Sequence, residues 1–278
     1  MDVNEDGAVD LLSGSYSRMD EDMAGLLQIL WGKEDGTFAP AEVLTAAKGK
    51  PLILPGEDDV DRICTRPCAA DLDGDGKLDL VIGNFRGTFA FVRGEGRGKF
   101  ASEATWIELE GQKLAVGNHG DPFLVDWDGD GDLDLLSGSA EGGVFLFANG
   151  GSKSRPEFAL PLTLIEPAGY VQNNELGDAH LAGPSDSTRV VADDLNGDGK
   201  LDLLVGDNVT LYYAVKGVSD AVAKQKLADW REAMKNIKEE NYQDEFERIE
   251  KERDQFVLEE RTGFVWVYYQ KAQETAQR

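Results

Sequence analysis

The stretch Asp71-Leu72-Asp73-Gly74-Asp75-Gly76-Lys77-Leu78-Asp79 sets carboxylates at positions 1, 3, 5 and 9 of a loop, with glycines at 4 and 6. That spacing suits a hard cation. Alternate residues of a tight turn can aim oxygens inward, glycines permit the sharp bend, and Ca²⁺ takes about 6–8 oxygen ligands. The expected donors are the side chains of Asp71, Asp73, Asp75 and Asp79, with the backbone carbonyl of Lys77. Asp126, Asp128, Asp130 and Asp134 repeat the set, with Asp132 at the carbonyl position. Asp194, Asn196, Asp198 and Asp202 repeat it again, with Lys200 there. A weaker copy, Asp2, Asn4, Asp6 and Asp10, has Glu5 where the first glycine should be and is expected to bend and bind less well. Up to four Ca²⁺ ions are implied.

An EF-hand begins similarly but needs a bidentate Glu at position 12 and a following helix. Here position 12 is Ser13, Ile82, Ser137 or Val205, and glycine always follows (Gly14, Gly83, Gly138, Gly206). Each loop therefore runs into a short β-strand. The competing reading is four acidic surface turns without metal, which leaves crowded like charges unopposed.

The acidic loop followed by an apolar strand and glycine resembles the FG-GAP/VCBS repeat, the calcium-loop blade of integrin-α-like β-propellers, over nearly the whole chain except a helical stretch near its end. The resemblance implies adhesion- or recognition-type roles, and a protein that is secreted, periplasmic or at the cell surface. Fold alone does not fix function.

The elements that must hold these loops follow from their period. Motif starts at 2, 71, 126 and 194 are spaced as blades of a propeller, each of four antiparallel strands. The fold expected is all-β, about four blades of an incomplete propeller. The second unit reads as strands at Pro67–Ala70, Leu78–Gly83, Thr88–Val92 and Phe100–Ile107. The third reads as Phe123–Val125, Leu133–Gly138, Gly143–Ala148 and Phe158–Ile165. The first has Val9–Gly14, Gly25–Trp31 and Phe38–Leu44. No inner strand precedes Asp2, so the chain reads as a fragment from which an export signal would also be gone.

In the fourth unit a charged stretch, 218–260, separates Leu201–Gly206 and Val209–Ala214 from the returning strand Gly263–Tyr269. Leu227, Trp230, Met234 and Ile237, then Tyr242, Phe246, Ile249 and Phe256, recur at helical spacing on either side of Asn241. This predicts an αα-hairpin inserted between second and third strands, its apolar stripe forming the seam between the helices. The domain division is blades over 1–217, the hairpin over 218–260, and a returning strand with a tail over 261–278.

Composition bounds the partners. Net charge is −25 and no apolar run approaches a membrane span. An acidic chain argues against nucleic acid and leaves protein or carbohydrate ligands. Oligomeric state is not legible. Cys64 and Cys68 suit a local disulfide or two free thiols equally, and two histidines make a zinc site improbable.

The irregular segments 45–66, 108–121 and 166–189 should share the face opposite the calcium turns with the hairpin. Arg66, Asp121 and Arg189 each lie five residues before a loop, at one equivalent position, and should meet at the channel mouth. Arg62, His119 and His180 are nearby in sequence, as are Asp61, Asp178 and Asp186. Two functions follow from this: a non-catalytic binding or scaffold module, or a carbohydrate-active hydrolase or lyase using these histidines and arginines. Convergence of those side chains in one open pocket favours the enzyme; mutual pairing or scatter favours the module. GxSxG, HExxH and P-loop signatures are lacking.

Overall fold

The structure, a computed structural model, describes residues 1–16, 26–46, 49–56, 58–168, 175–238 and 241–271. Seventeen strands and two α-helices are assigned within them. The first blade holds β1 (Leu11–Ser13), β2 (Gln28–Leu30) and β3 (Glu42–Val43). The second is β4 (Arg66–Ala70), β5 (Asp79–Gly83), β6 (Phe89–Gly96) and β7 (Lys99–Trp106), paired antiparallel in that order. A small ribbon, β8 (Glu108–Leu109) with β9 (Gln112–Lys113), leads to the third blade: β10 (Asp121–Val125), β11 (Asp134–Gly138), β12 (Val144–Phe147) and β13 (Leu162–Ile165). The fourth contains β14 (Asp186–Asp193) and β15 (Asp202–Ala214). Two helices follow, α1 (Asp220–Lys235) and α2 (Tyr242–Arg253), then β16 (Val257–Thr262) and β17 (Val265–Tyr268).

The all-β blade arrangement matches the sequence expectation, loop for loop. Gly25, the expected start of a strand in the first blade, and residues 272–278 of the tail lie outside the described residues.

Each blade alternates inward and outward residues, so successive blades share two-sided cores. Leu80, Ile82, Ala90 and Val92 of the second blade pack with Leu27 and Ile29 of the first. Its Val81 and Phe89 pack with Leu124, Leu135 and Phe147 of the third. Phe89 and Phe147 meet edge to face at 5.7 Å. Complete burial of side chains this size contributes roughly 1.5–3 kcal/mol each.

The glycine that ends each motif explains how closely blades approach. A Cβ on Gly14 would fall on the carbonyl of Thr65; on Gly83 it would lie 2.1 Å from Gly120 O, and on Gly138 2.1 Å from Thr188 O. The next residue then bonds across the joint: Ser15 N–H donates to Thr65 Oγ1 at 2.8 Å and Ser139 N–H to Thr188 Oγ1 at 3.0 Å. Gly206, the fourth copy, meets nothing within 4 Å. Register aligns Val265 and Val267 of this blade with Val144 and Leu146 of the third. Val144 and Leu146 are 0% and 5% exposed, whereas Val265 and Val267 are 70% and 45% exposed. The fourth blade thus shows solvent the face that the third covers with its neighbour.

The insertion lies between second and third strands as expected, but its construction differs. β15 runs on past the blade, and its outer half pairs with β16 from Val209↔Thr262 to Ala214↔Val257, while its inner half pairs with β17. The helices therefore stand on a two-stranded stem, and Val257–Glu260 is strand where a helix was expected. Asp220 opens α1 and Lys235 closes it, complementing the helix dipole. The apolar stripe is not simply an interhelical seam: Leu227, Trp230 and Phe256 pack with Tyr212, Ala214 and Val257 of the stem. Arg253 locks this joint. Its 5% exposed guanidinium bonds Glu259 at 2.8 Å and Asp254 at 2.7 Å, and lies 4.7 Å from the Trp230 ring centroid.

Candidate functional site

All four acidic loops share one hydrogen-bond frame. The N–H at position 6 donates to a position-1 carboxylate: Gly7 to Asp2 at 2.8 Å, Gly76 to Asp71 at 3.1 Å, Gly131 to Asp126 at 3.0 Å, Gly199 to Asp194 at 2.9 Å. The N–H at position 7 donates to the position-5 Asp in every copy, from Ala8, Lys77, Asp132 and Lys200. Position 4 is left-handed throughout, φ 68° at Gly74, 81° at Gly129 and 78° at Gly197. Glu5 adopts φ 63°, so the expectation that it could not bend as glycine does is corrected. The frame outweighs the strain of a side chain there, about 1–2 kcal/mol.

The second and third loops fit a hard cation. Carboxylate oxygens of Asp71, Asp73 and Asp79 lie within 4.8 Å of one another, as do those of Asp126, Asp128 and Asp130. Asp71 Oδ1 is buried without a hydrogen-bond donor, and so is Asp202 Oδ2 in the fourth loop. In the second loop Arg93 pairs with Asp73 at 3.1 Å and Asp75 at 3.0 Å, and Lys77 with Asp75 at 3.1 Å. Among the described residues no basic side chain pairs with Asp126, Asp128 or Asp130. In the fourth loop Asp198 accepts from Lys200 N–H at 3.0 Å, and Asn196 stands at position 3 of the sequence.

The position-9 aspartate carries a role the spacing did not reveal. Asp10, Asp79, Asp134 and Asp202 are buried, and each ties its loop to the third strand's end of the blade. Asp79 accepts from Leu72 N–H at 3.0 Å and Gly94 N–H at 2.7 Å; Asp134 accepts from Trp127 at 2.8 Å and Asn149 at 2.7 Å. Burial pushes the carboxyls of Asp79 and Asp134 up, while these N–H donors pull them down.

The second candidate is the axial mouth. Register places Arg66, Asp121 and Arg189 opposite Gly83, Gly138 and Gly206, the equivalent step of three blades. Asp121 lies between the two cations, 2.8 Å from Arg189 Nη1 and 3.9 Å from Arg66 Nε. Arg66 Nη1 is buried without a partner. His119 packs against Phe85 with centroids 4.7 Å apart and rings tilted by 54°, and holds a left-handed φ of 58°. Burial first, then Arg66 and Arg189, push its imidazole pKa down.

The remaining expected members do not join them. Arg62 bonds the carbonyl of Gly56 at 2.8 Å, and Asp61 pairs with Arg86 at 2.9 Å. His180 lines a separate cavity beside the hairpin, together with Asp186. Cys64 and Cys68 are both free. The unanticipated groups, Thr65 and Thr188 at the blade joints, follow no spacing rule and were legible only as generic strand residues.

A family match agrees with this geometry. The FG-GAP-like repeat family matches residues 71–137 and 126–205. No curated protein matches the chain. Among solved structures, one on recognition of non-reducing terminal N-acetylglucosamine by an Agrocybe aegerita lectin is similar at 21% identity. It covers 68% of this chain and 43% of that one, with a TM-score of 0.34. This chain thus spans less than half that protein's length. No helix among the described residues is long and apolar enough to cross a membrane.

Proposed function

Because the chain is an FG-GAP-repeat propeller, we propose that it serves as a calcium-stabilised, non-catalytic binding or scaffold module working outside the cytoplasm. One observation carries the metal part. Asp71, Asp73 and Asp79 converge within 4.8 Å while Asp71 Oδ1 is buried with no donor. A carboxylate oxygen buried without a donor is costly, and a cation offsets that cost. Bound Ca²⁺ would supply charge neutralisation. Asp71, Asp73 and Asp79 would hold it in the second loop, and Asp126, Asp128 and Asp130 in the third. The chain's own backbone donors already fix the turn, so the loops need little reorganisation to receive an ion.

The absence of convergence at the mouth supports a module over a hydrolase or lyase. Asp121 is engaged by the two arginines, His119 packs on Phe85, and His180 stands apart. A nucleophile–base pair within hydrogen-bond reach is not assembled from these side chains. A place outside the cytoplasm accords with the repeat type and with a millimolar calcium supply there.

Thermal unfolding with millimolar Ca²⁺ and with excess chelator tests the reading. A ligand at about 100 times its Kd adds roughly 2.7 kcal/mol per site, which shifts Tm upward by several degrees. Superimposable melts would overturn it.

A further inference from the structure

We propose that the cavity between the helical hairpin and its β-stem binds a neutral, polyhydroxylated ligand, a sugar unit, through Trp230, His180 and Asp186. This deepens the binding-module reading and is separable from its calcium part, since none of these residues belongs to an acidic loop. The cavity has a volume of about 530 Å³ and is walled by α1, α2, the β15–β16 stem and the segment around 175–186. That is within the range of small-ligand sites.

Its chemistry narrows the occupant. Tyr212, Trp230 and Phe246 supply aromatic surface. Three polar atoms of lining residues are buried without a hydrogen-bond partner: Trp230 Nε1, His180 Nδ1 and Asp186 Oδ1. Indole N–H only donates, a carboxylate oxygen accepts, and an imidazole nitrogen does either. A ligand that satisfies all three must therefore both accept and donate. Hydroxyl groups do so, and a sugar ring adds the C–H face that packs on aromatic rings.

The charges of the walls argue against an ionic ligand. Glu259 is held by Arg253 at 2.8 Å and Arg261 at 3.3 Å, and Glu250 by Arg253 at 3.5 Å. Glu175 is held by Lys224 at 2.6 Å and Lys235 by Glu232 at 3.5 Å. An anionic ligand would have to break such pairs and a cation would answer Asp186 but not the Trp230 N–H donor, whereas a neutral hydroxylated ligand leaves the pairs intact and serves both. Asp186 stands without a basic partner among the described residues. Burial pushes its carboxyl up, an effect that hydrogen-bond donors from a ligand would oppose.

Saturation-transfer NMR and calorimetric titration of the whole chain provide the test. The probes are glucose, galactose, mannose, xylose, N-acetylglucosamine and the α- and β-1,4-linked glucose disaccharides, with glucuronic acid and glucosamine as charged controls. At least one neutral sugar should bind. Trp230→Phe, which keeps the ring and removes the donor, and Asp186→Asn should each weaken that binding about tenfold or more, with Tm unchanged. Should Trp230→Phe loosen the hairpin, His180→Ala on the facing segment gives the same readout. Arg155→Ala, an exposed change on the third blade, should leave binding as it is. The proposal fails if no neutral sugar binds, if the charged controls bind more tightly, or if binding survives all three cavity substitutions.

Discussion

The backbone N–H of Gly94 donates to Asp79 Oδ1 at 2.7 Å, joining the ninth residue of the acidic loop, at the start of β5, to the neighbouring strand β6. The same bond recurs from Gly32 to Asp10 at 2.8 Å, from Asn149 to Asp134 at 2.7 Å and from Gln270 to Asp202 at 3.0 Å. Four copies of one long-range bond make the ninth aspartate a brace of the blade. Its carboxylate is placed by the fold before any ion is considered.

That separates two kinds of loop aspartate. Asp79→Ala removes the acceptor for three N–H groups, two of them buried, and should cost about 3 kcal/mol or more even with chelator present. Asp128→Ala, at an exposed position of the third loop, should leave the chelator melt within about 0.5 kcal/mol of the parent and reduce the calcium-induced shift. Paired melts of both variants check this. Equal losses for Asp128→Ala in both conditions would make its role purely structural.

The blade-joint glycines give a second contrast. Gly138→Ala drives a methyl to 2.1 Å from the Thr188 carbonyl, and the backbone there cannot step aside as a flexible side chain would. Its cost should exceed the roughly 1–3 kcal/mol of ordinary overpacking. Gly206→Ala meets nothing within 4 Å and should stay within about 0.5 kcal/mol of the parent. Denaturant titration of the two variants reads the difference; equal destabilisation would mean that Gly206 also lies at a packed joint.

How much of this was legible beforehand depended on repetition. Loop, strand and glycine occur four times at fixed offsets, so their register could be read directly, and the helix period in 218–260 was equally plain. The stem was not. Val209–Ala214 reads like any strand, Val257–Thr262 continues the charged stretch without alternation, and their pairing across more than forty residues leaves no local mark. The cavity escaped for the same reason: His180 and Asp186 reach Trp230 only once the stem has set the hairpin over them. The axial trio was found because blade symmetry supplied the missing spatial information.

Glu5 is the one position where the repeat is broken and the fold is kept. Its φ of 63° strains a side chain, and its contacts to the neighbouring blade are weak, 3.3 Å from Arg97 N and 4.0 Å from Arg97 Nε. Glu5→Gly should raise stability by about 0.5–1 kcal/mol, the relief of strain exceeding the lost contacts. A fall in Tm would show instead that the Glu5–Arg97 contact clamps the first two blades.

His119 provides the last test, through pH. Its surroundings are Phe85 at 4.7 Å, the cations Arg66 and Arg189, and Glu141, which alone among them favours the protonated ring. Burial and the two arginines prevail, so the folded pKa lies below the ordinary value of 6.5. The unfolded chain then binds the proton more readily than the folded one. Stability is accordingly complete above about pH 6.5 and is lost as pH falls from there through the folded pKa. His119→Asn keeps a residue that tolerates a left-handed backbone and removes the titration. Between about pH 6.5 and pH 5 the parent's Tm should fall more steeply than the variant's, and the two should run parallel above pH 7. Parallel curves throughout would mean that the arginines do not act on this ring, and that the pairing with Asp121 screens them from it.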